Sequence, residues 1–372
     1  MAVQHRLQPL TSSMCLVFVL AGCFIGVSSA AAAAPLFVAT PETIWRLEDK
    51  NGDGEALGAG EKTAFLDAAP GAAAFVDVAA SRSGLVYTID SSGRVFKSRD
   101  LNNDGDAKDL VETMVFHDQT AAGLHLNAAL SIAVTQFYDV DQHTLRDVLY
   151  VVDPIRQATA KLEDKDGDGK AQSADEICLF MQSTAQKPLT ALQMTTDETG
   201  RLLAVNPNIT GVIRAADHNQ DCNISFYRDT SCPAEVLSSE YHIVKNNSGA
   251  DPDLNRPVGI AIDSQGTIFV SDLLVRAATA AGGILQLRDL NNDEDMQEAG
   301  EVTLVNDGSC VDGTLPFFQP GALAIDQDGM LYAAVMDLGR ILRFRDLNSD
   351  GDTKDAGECT VFASGFASLQ GL

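Results

Sequence analysis

Basic residues are scarce in this chain: 26 Lys and Arg stand against 52 Asp and Glu, for a formal charge of −26. That balance excludes a nucleic-acid role driven by phosphate neutralisation, which needs clustered cations. Catalytic signatures are missing as well, with no Gly-x-Ser-x-Gly elbow and no His-Glu-x-x-His zinc motif. The histidines after residue 34 are scattered, at His117, His125, His143, His218 and His242. Only His117 and His125 share a connection and so stand within reach of one ligand. Long amphipathic runs are absent too. Past residue 34 the apolar stretches are short, β-branched and interrupted by Gly and Asp, which excludes a helical fold. Cysteines there are odd in number: Cys178, Cys222, Cys232, Cys310 and Cys359. Cys222 and Cys232 flank one acidic stretch and suit a local disulfide, while the other three are open to pairing or to burial as free thiols.

What the chain does have is one acidic phrase written six times. It reads DKNGDG from Asp49, DLNNDGD from Asp100, DKDGDG from Asp164, DHNQDCN from Asp217, DLNNDED from Asp289 and DLNSDGD from Asp346. The first, third and fifth positions carry oxygen: Asp49, Asn51 and Asp53; Asp100, Asn102 and Asp104; Asp164, Asp166 and Asp168. The later copies supply Asp217, Asn219 and Asp221; Asp289, Asn291 and Asp293; Asp346, Asn348 and Asp350. An acid recurs at the thirteenth position, as Glu61, Glu112, Glu176, Glu301 and Glu358, with Asp229 in the fourth copy.

Ca²⁺ takes six to eight oxygens at about 2.3–2.6 Å, and alternate residues of a tight turn aim theirs at one point. The sixth position calls for positive φ, which Gly adopts freely. One such phrase alone is an ordinary surface turn. Six copies with a downstream acid in one register point to calcium ligands. An EF-hand places its bidentate Glu at the twelfth position and continues as a helix. Here the register is one residue longer and strand-like text follows, as in VTLV after Glu301. Cys222 and Glu294 replace the Gly, at about 1–2 kcal/mol each for left-handed backbone, so those two loops are expected to bind more weakly or turn differently. Six Ca²⁺ would cancel nearly half of the negative charge, and the remainder favours solubility.

The phrases begin 51, 64, 53, 72 and 57 residues apart, the period of a repeat unit. Each unit reads as three short apolar runs split by turns such as SQG, QDG and SSG, then the acidic loop, then a fourth run. Four strands per unit at this period predict an all-β, six-bladed propeller of antiparallel strands over residues 35–372. PLFVAT (35–40) aligns with second strands, and FASLQGL (366–372) aligns with first strands. The C-terminal segment is therefore expected to complete the N-terminal blade and remove an open edge. Connections alternate between faces, which places the acidic loops with the SQG-type turns and leaves longer connections on the other face. Asp90, Asp153, Asp272 and Asp337 end the second strands on that other face, either capping turns or ringing the channel mouth for a metal or cationic ligand.

The string RPVGIAIDSQGTIFVSD (256–272) resembles an NHL repeat, and 320–337 follows the same pattern. The resemblance implies the propeller scaffold and does not carry an activity. The acidic loops depart from ordinary NHL repeats and resemble those of secreted bacterial propellers, including quinoprotein sugar dehydrogenase relatives. A gluconolactonase-like site would need Pro-Asn-Gly where this chain has Pro257-Val258-Gly259. A quinoprotein site would need a catalytic His with Arg and Lys, for which Arg256 and Arg276 lie near the candidate face. The expected function is thus a monomeric calcium-binding module for a protein, peptide or glycan, with Ca²⁺ structural. The alternative is a sugar dehydrogenase-like or lactonase-like enzyme.

Residues 1–34 read as an export segment. Arg6 precedes the apolar run 14–27, and Ser28-Ser29-Ala30 suits signal cleavage. Leu20-Ala21-Gly22-Cys23 also fits a lipobox, which would tether the protein to membrane through Cys23, and a retained anchor is the third option. Each of these readings places the propeller outside the cytoplasm, secreted or periplasmic, where calcium is plentiful.

Overall fold

A computed structural model describes residues 34–122, 124–139, 143–182, 191–217, 240–247, 252–276, 281–310 and 319–372. Residues 1–33, all but the last of the stretch read from sequence as an export segment, lie outside the described residues. The rest forms six antiparallel sheets, one per repeat. Blade one holds β1 (Leu36–Ala39), β2 (Thr43–Leu47) and β3 (Lys62–Asp67). Blade two holds β4 (Phe75–Ala80), β5 (Val86–Asp90), β6 (Val95–Ser98) and β7 (Thr113–His117). Blade three holds β8 (Ile132–Asp139), β9 (Thr144–Asp153), β10 (Ala158–Glu163) and β11 (Ile177–Gln182). Blade four holds β12 (Met194–Thr196), β13 (Leu202–Asn206), β14 (Gly211–Ala215) and β15 (Tyr241–Lys245). Blade five holds β16 (Pro257–Ile262), β17 (Ile268–Arg276), β18 (Ala281–Leu287) and β19 (Val302–Asn306). Blade six holds β20 (Pro320–Ile325), β21 (Leu331–Val335), β22 (Arg340–Phe344) and β23 (Cys359–Ala363).

The burial of each strand explains its composition. Second strands are covered by neighbouring blades on both sides, so β5, β13 and β21 are buried at every position. Third and fourth strands are only partly buried, with half-exposed positions among the buried ones. The core is six clusters of buried apolar side chains, each filling the gap between two successive blades. The cluster of Val38 and Leu47 with Tyr332, Ile341 and Phe362 joins blade six to blade one and closes the ring. Closure is also hydrogen-bonded: the Ala39 N–H donates to the Gly371 carbonyl and the Gln370 N–H to the Ala39 carbonyl, both at 2.9 Å. The closing segment pairs through one bridge and not along a full strand.

Two cysteine questions are answered. Cys310 and Cys359 form a disulfide between the connection after β19 and the outer strand of blade six. Cys178, on β11, is disulfide-bonded as well. The suggested Cys222–Cys232 tie lies outside the described residues.

Candidate metal centres and the axis of the ring

Five of the six acidic loops are described, and one hydrogen-bond scheme repeats in them. In the last loop Asp346 accepts the N–H groups of Ser349 and Gly351, at 2.6 and 2.9 Å. Asn348 accepts from Asp350, and Asp350 accepts from Asp352. Glu358 ties the loop shut, taking the Leu347 N–H on Oε1 (2.9 Å) and the Asp355 N–H on Oε2 (3.1 Å). Glu61, Glu112, Glu176 and Glu301 do the same in their loops. These five carboxylates are all buried. Burial raises the pKa of Glu176, but the Ser173, Lys165 and Asp166 donors outweigh it and hold the group down to about 2. The thirteenth-position acid is therefore a staple that sets the loop's shape, and in the third loop it is held ionised.

In the third loop the early acids converge. Carboxylate oxygens of Asp164, Asp166 and Asp168 lie within 4.8 Å of one another, as oxygens bound to a single Ca²⁺ would. With Asn at the third position the amide intervenes: Asn51, Asn102, Asn291 and Asn348 each donate Nδ2 to the fifth-position carboxylate at 2.9–3.0 Å. Asn102 and Asn348 also reach a tenth-position acid, Asp109 or Asp355. In the fifth loop Asp293 groups with Asp295 and Glu298. Sequence reading missed these seventh- and tenth-position acids, although aligning the six copies to their thirteenth residue reveals them. Of the fourth loop only Asp217 is described, with Lys161 Nζ 3.5 Å away; Asn219, Asp221 and Asp229 lie outside the described residues.

Positive φ is needed at the fourth position as well as the sixth. Asn103, Asn292 and Ser349 adopt it at the fourth, and Glu294 adopts it at the sixth with φ 72°. Arg214 offsets the strain at Glu294, its Nη2 donating to the Glu294 carboxylate at 2.8 Å. Arg46 and Arg343 lie over Gly105 and Gly54, the same place in two other loops. In each case the cation comes from the third strand of the preceding blade.

A second joint couples loops to blades. The residue at the eighth position donates its N–H to the outer strand of the preceding blade in every described loop. Ala56 bonds Phe362, Ala107 bonds Phe65, Ala171 bonds Phe116, Met296 bonds Val244 and Thr353 bonds Val305, at 2.7–2.9 Å. The next side chain on the outer strand closes the joint from the other side in two places. His117 Nδ1 donates to the Ala171 carbonyl (2.9 Å), and Asn306 Nδ2 to the Thr353 carbonyl (3.0 Å). His117 is fully buried there, and burial lowers its pKa. The expectation that it reaches a ligand is therefore corrected: a neutral imidazole committed to a backbone carbonyl under a packed loop is not open to substrate.

Asp90, Asp153 and Asp272 cap their turns. Asp90 accepts from Ser92 and Arg94, Asp153 from Ile155 and Arg156, and Asp272 from Leu274, Asn255 and Arg256. Asp337 differs, being exposed at the channel mouth. The Arg256 N–H serves the Asp272 cap, and the Arg276 side chain is outside the described residues.

At the axis the innermost strands present one aligned residue each: Asp77, Ser131, Gln193, Gly259, Ala322 and Gly371. Three polar side chains on adjacent blades thus face three small residues. Gln193 crosses to blades five and six, its Oε1 accepting the N–H groups of Ile260 (2.9 Å) and Leu323 (3.2 Å). Gly259 permits this, because a Cβ there would overlap the Gly321 carbonyl and crowd Gln193. Asp77 accepts the Ile132 and Val78 N–H groups, both at 2.9 Å, and packs against Gly371, where a Cβ would strike its carboxylate. Burial dominates these donors and pushes Asp77 up to about 7. This layer divides the channel. On the loop side lies a funnel of about 1140 Å³ whose rim mixes Arg46, Arg82 and Arg343 with Asp100, Asp263 and Asp326. On the other side a cavity of about 260 Å³ has Asp77 and Gln193 in its lining.

No protein-family model matches this chain, and no curated protein matches it. Among solved structures it is similar to a protein of unknown function from Bacteroides thetaiotaomicron, with TM-score 0.48 and 14% identity over 82% of this chain and 68% of that one. A putative glucose dehydrogenase from Thermus thermophilus follows at 0.47 and 13%, over 81% and 87%. Virginiamycin B lyase from Staphylococcus aureus gives 0.40 and 12%, over 77% and 69%. Likenesses this faint say nothing about what the chain binds or does.

Proposed function

We propose that this protein is an exported binding module whose propeller ring is fastened by calcium. The repeated loop joint carries the reading. Each described loop hydrogen-bonds the blade before it, and the third and fifth each bring three carboxylates within 4.8 Å of one another, so an ion that rigidifies the loop also rigidifies a blade interface. Without a cation, carboxylates this close repel one another. Oxygen-only donor sets on flexible loops suit Ca²⁺ better than Mg²⁺, which demands tighter octahedral geometry. The disulfide between Cys310 and Cys359 fits an oxidising compartment outside the cytoplasm. The alternative, turnover of lactones or aldoses, has lost His117 as a candidate residue.

Native mass measurement of the mature protein should count several Ca²⁺. Each site adds about 2.7 kcal/mol when calcium is a hundredfold above its Kd, against roughly 5–15 kcal/mol for an ordinary domain. Chelation should therefore lower the melting temperature sharply, with poor rescue by Mg²⁺. A melt unchanged by chelator would refute the metal reading.

A further inference from the structure

The smaller cavity, on the face away from the acidic loops, has a composition that selects a ligand. Its walls are apolar, from Leu130, Leu192, Val258, Leu273 and Met336. Its polar side chains are carboxylates and amides: Asp77, Gln193, Gln319, Asp337 and Gln370. We propose that this cavity binds a small organic ammonium, with its apolar body against Leu192, Val258 and Leu273 and its charge shared by Asp77 and Asp337. The inference rests on the reading of the ring as a binding module and is independent of the metal.

An anion is disfavoured, because no cationic side chain among the described residues lines the cavity to meet it. A purely apolar ligand would leave Asp77 desolvated with uncharged donors alone. Among the described residues Asp77 has no cationic partner. The groups facing or beside it are Val78 on its own strand, Ser131 and Ile132 at the start of β8, and Gly371 of the closing segment. Gln193, from beside β12, and the carboxylate of Asp337 complete the polar lining of the cavity, while Leu372 faces the funnel across the septum. Removal from water without a counter-charge is what raises the Asp77 pKa to about 7. An ammonium supplies the missing charge, draws the carboxyl into its ionised form and displaces its proton. The volume of about 260 Å³ lies just below the usual range of about 300–1,000 Å³ for ligand pockets, which limits the body to roughly one ring or a short branched chain.

The test is titration calorimetry on the calcium-loaded protein with three matched probes: benzylammonium chloride, benzyl alcohol and sodium benzoate. Benzylammonium is expected to bind about tenfold tighter than benzyl alcohol at pH 8, with benzoate undetected. Benzylammonium stays protonated throughout, so its affinity should rise about tenfold between pH 6 and pH 8 as Asp77 ionises more readily, while that of benzyl alcohol stays flat. Asp77→Asn should erase both the preference and the pH slope; Asp337→Asn should reduce the preference and keep the slope. If Asp77→Asn does not fold, the wild-type slope and the Asp337→Asn result decide. Equal affinity for the ammonium and the alcohol, or a flat pH profile, overturns the proposal. A chelator-insensitive melt would instead count against the loops and leave this result standing.

Discussion

His117 shows how a titratable side chain can be structural. Its Nδ1–H holds the Ala171 carbonyl, a job that Asn306 performs at another joint of the ring. His117→Asn should therefore be tolerated, while His117→Ala strands a buried carbonyl and should cost about 1–3 kcal/mol in denaturant unfolding. Burial keeps the folded group below its unfolded value of 6.5. The unfolded chain then takes up the proton first, so the group's contribution is full above about pH 6.5 and declines as pH falls below it. The Asn variant should lose that part of the pH dependence, and an unaltered profile would show that His117 does not titrate in this way. Gly259 is the second test at this scale. A methyl there meets the Gly321 carbonyl and Gln193, so Gly259→Ala should destabilise by about 1–3 kcal/mol through overpacking. A wild-type melting curve for this variant would mean that the septum is not packed as described.

The acidic loop is the element that distinguishes this ring. Its thirteenth-position Glu fixes shape, its first acid holds the turn's N–H groups, and its eighth residue is pinned to the neighbouring blade. The loops are unequal. In the third, three carboxylates face one another with no amide between them, and this loop is expected to gain most from calcium. In the fifth, Glu294 holds left-handed backbone and Arg214 already supplies a cation. Asp166→Ala should accordingly lower the melting temperature in calcium more than Asp293→Ala does. With chelator present the order should vanish or reverse, since removing a carboxylate then relieves repulsion. Equal losses in calcium would indicate that the loops do not differ in metal affinity.

For the whole molecule, ring closure is the vulnerable step. Blade one is closed by the far end of the chain through two backbone hydrogen bonds, helped by Phe366 and Leu369 in the apolar cluster between blades six and one. Deleting residues 366–372 removes both and exposes an edge strand, so the truncated protein should aggregate and melt earlier. A soluble truncation with full-length melting behaviour would show that closure contributes little. The same deletion removes Gly371, the neighbour of Asp77 across the septum, so any surviving protein should also lose the ammonium preference.

Periodicity alone determined the blade count, the strand order, the face on which the acidic loops sit and the chain segment that closes the ring. These follow from local information: alternating apolar runs, Gly turns and a spacing that only a four-stranded unit satisfies. The candidate ligand residues at positions one, three and five were legible for the same reason, being close in sequence. Only tertiary structure decided what His117 does, which cysteine Cys310 joins, and that the eighth residue of each described loop fastens the blade before it. It also brought Asp77, Gln193 and Gly371, on three separate blades, into one layer across the axis. Such contacts join residues tens to hundreds of positions apart, and no local pattern encodes which blades will face each other across a closed ring.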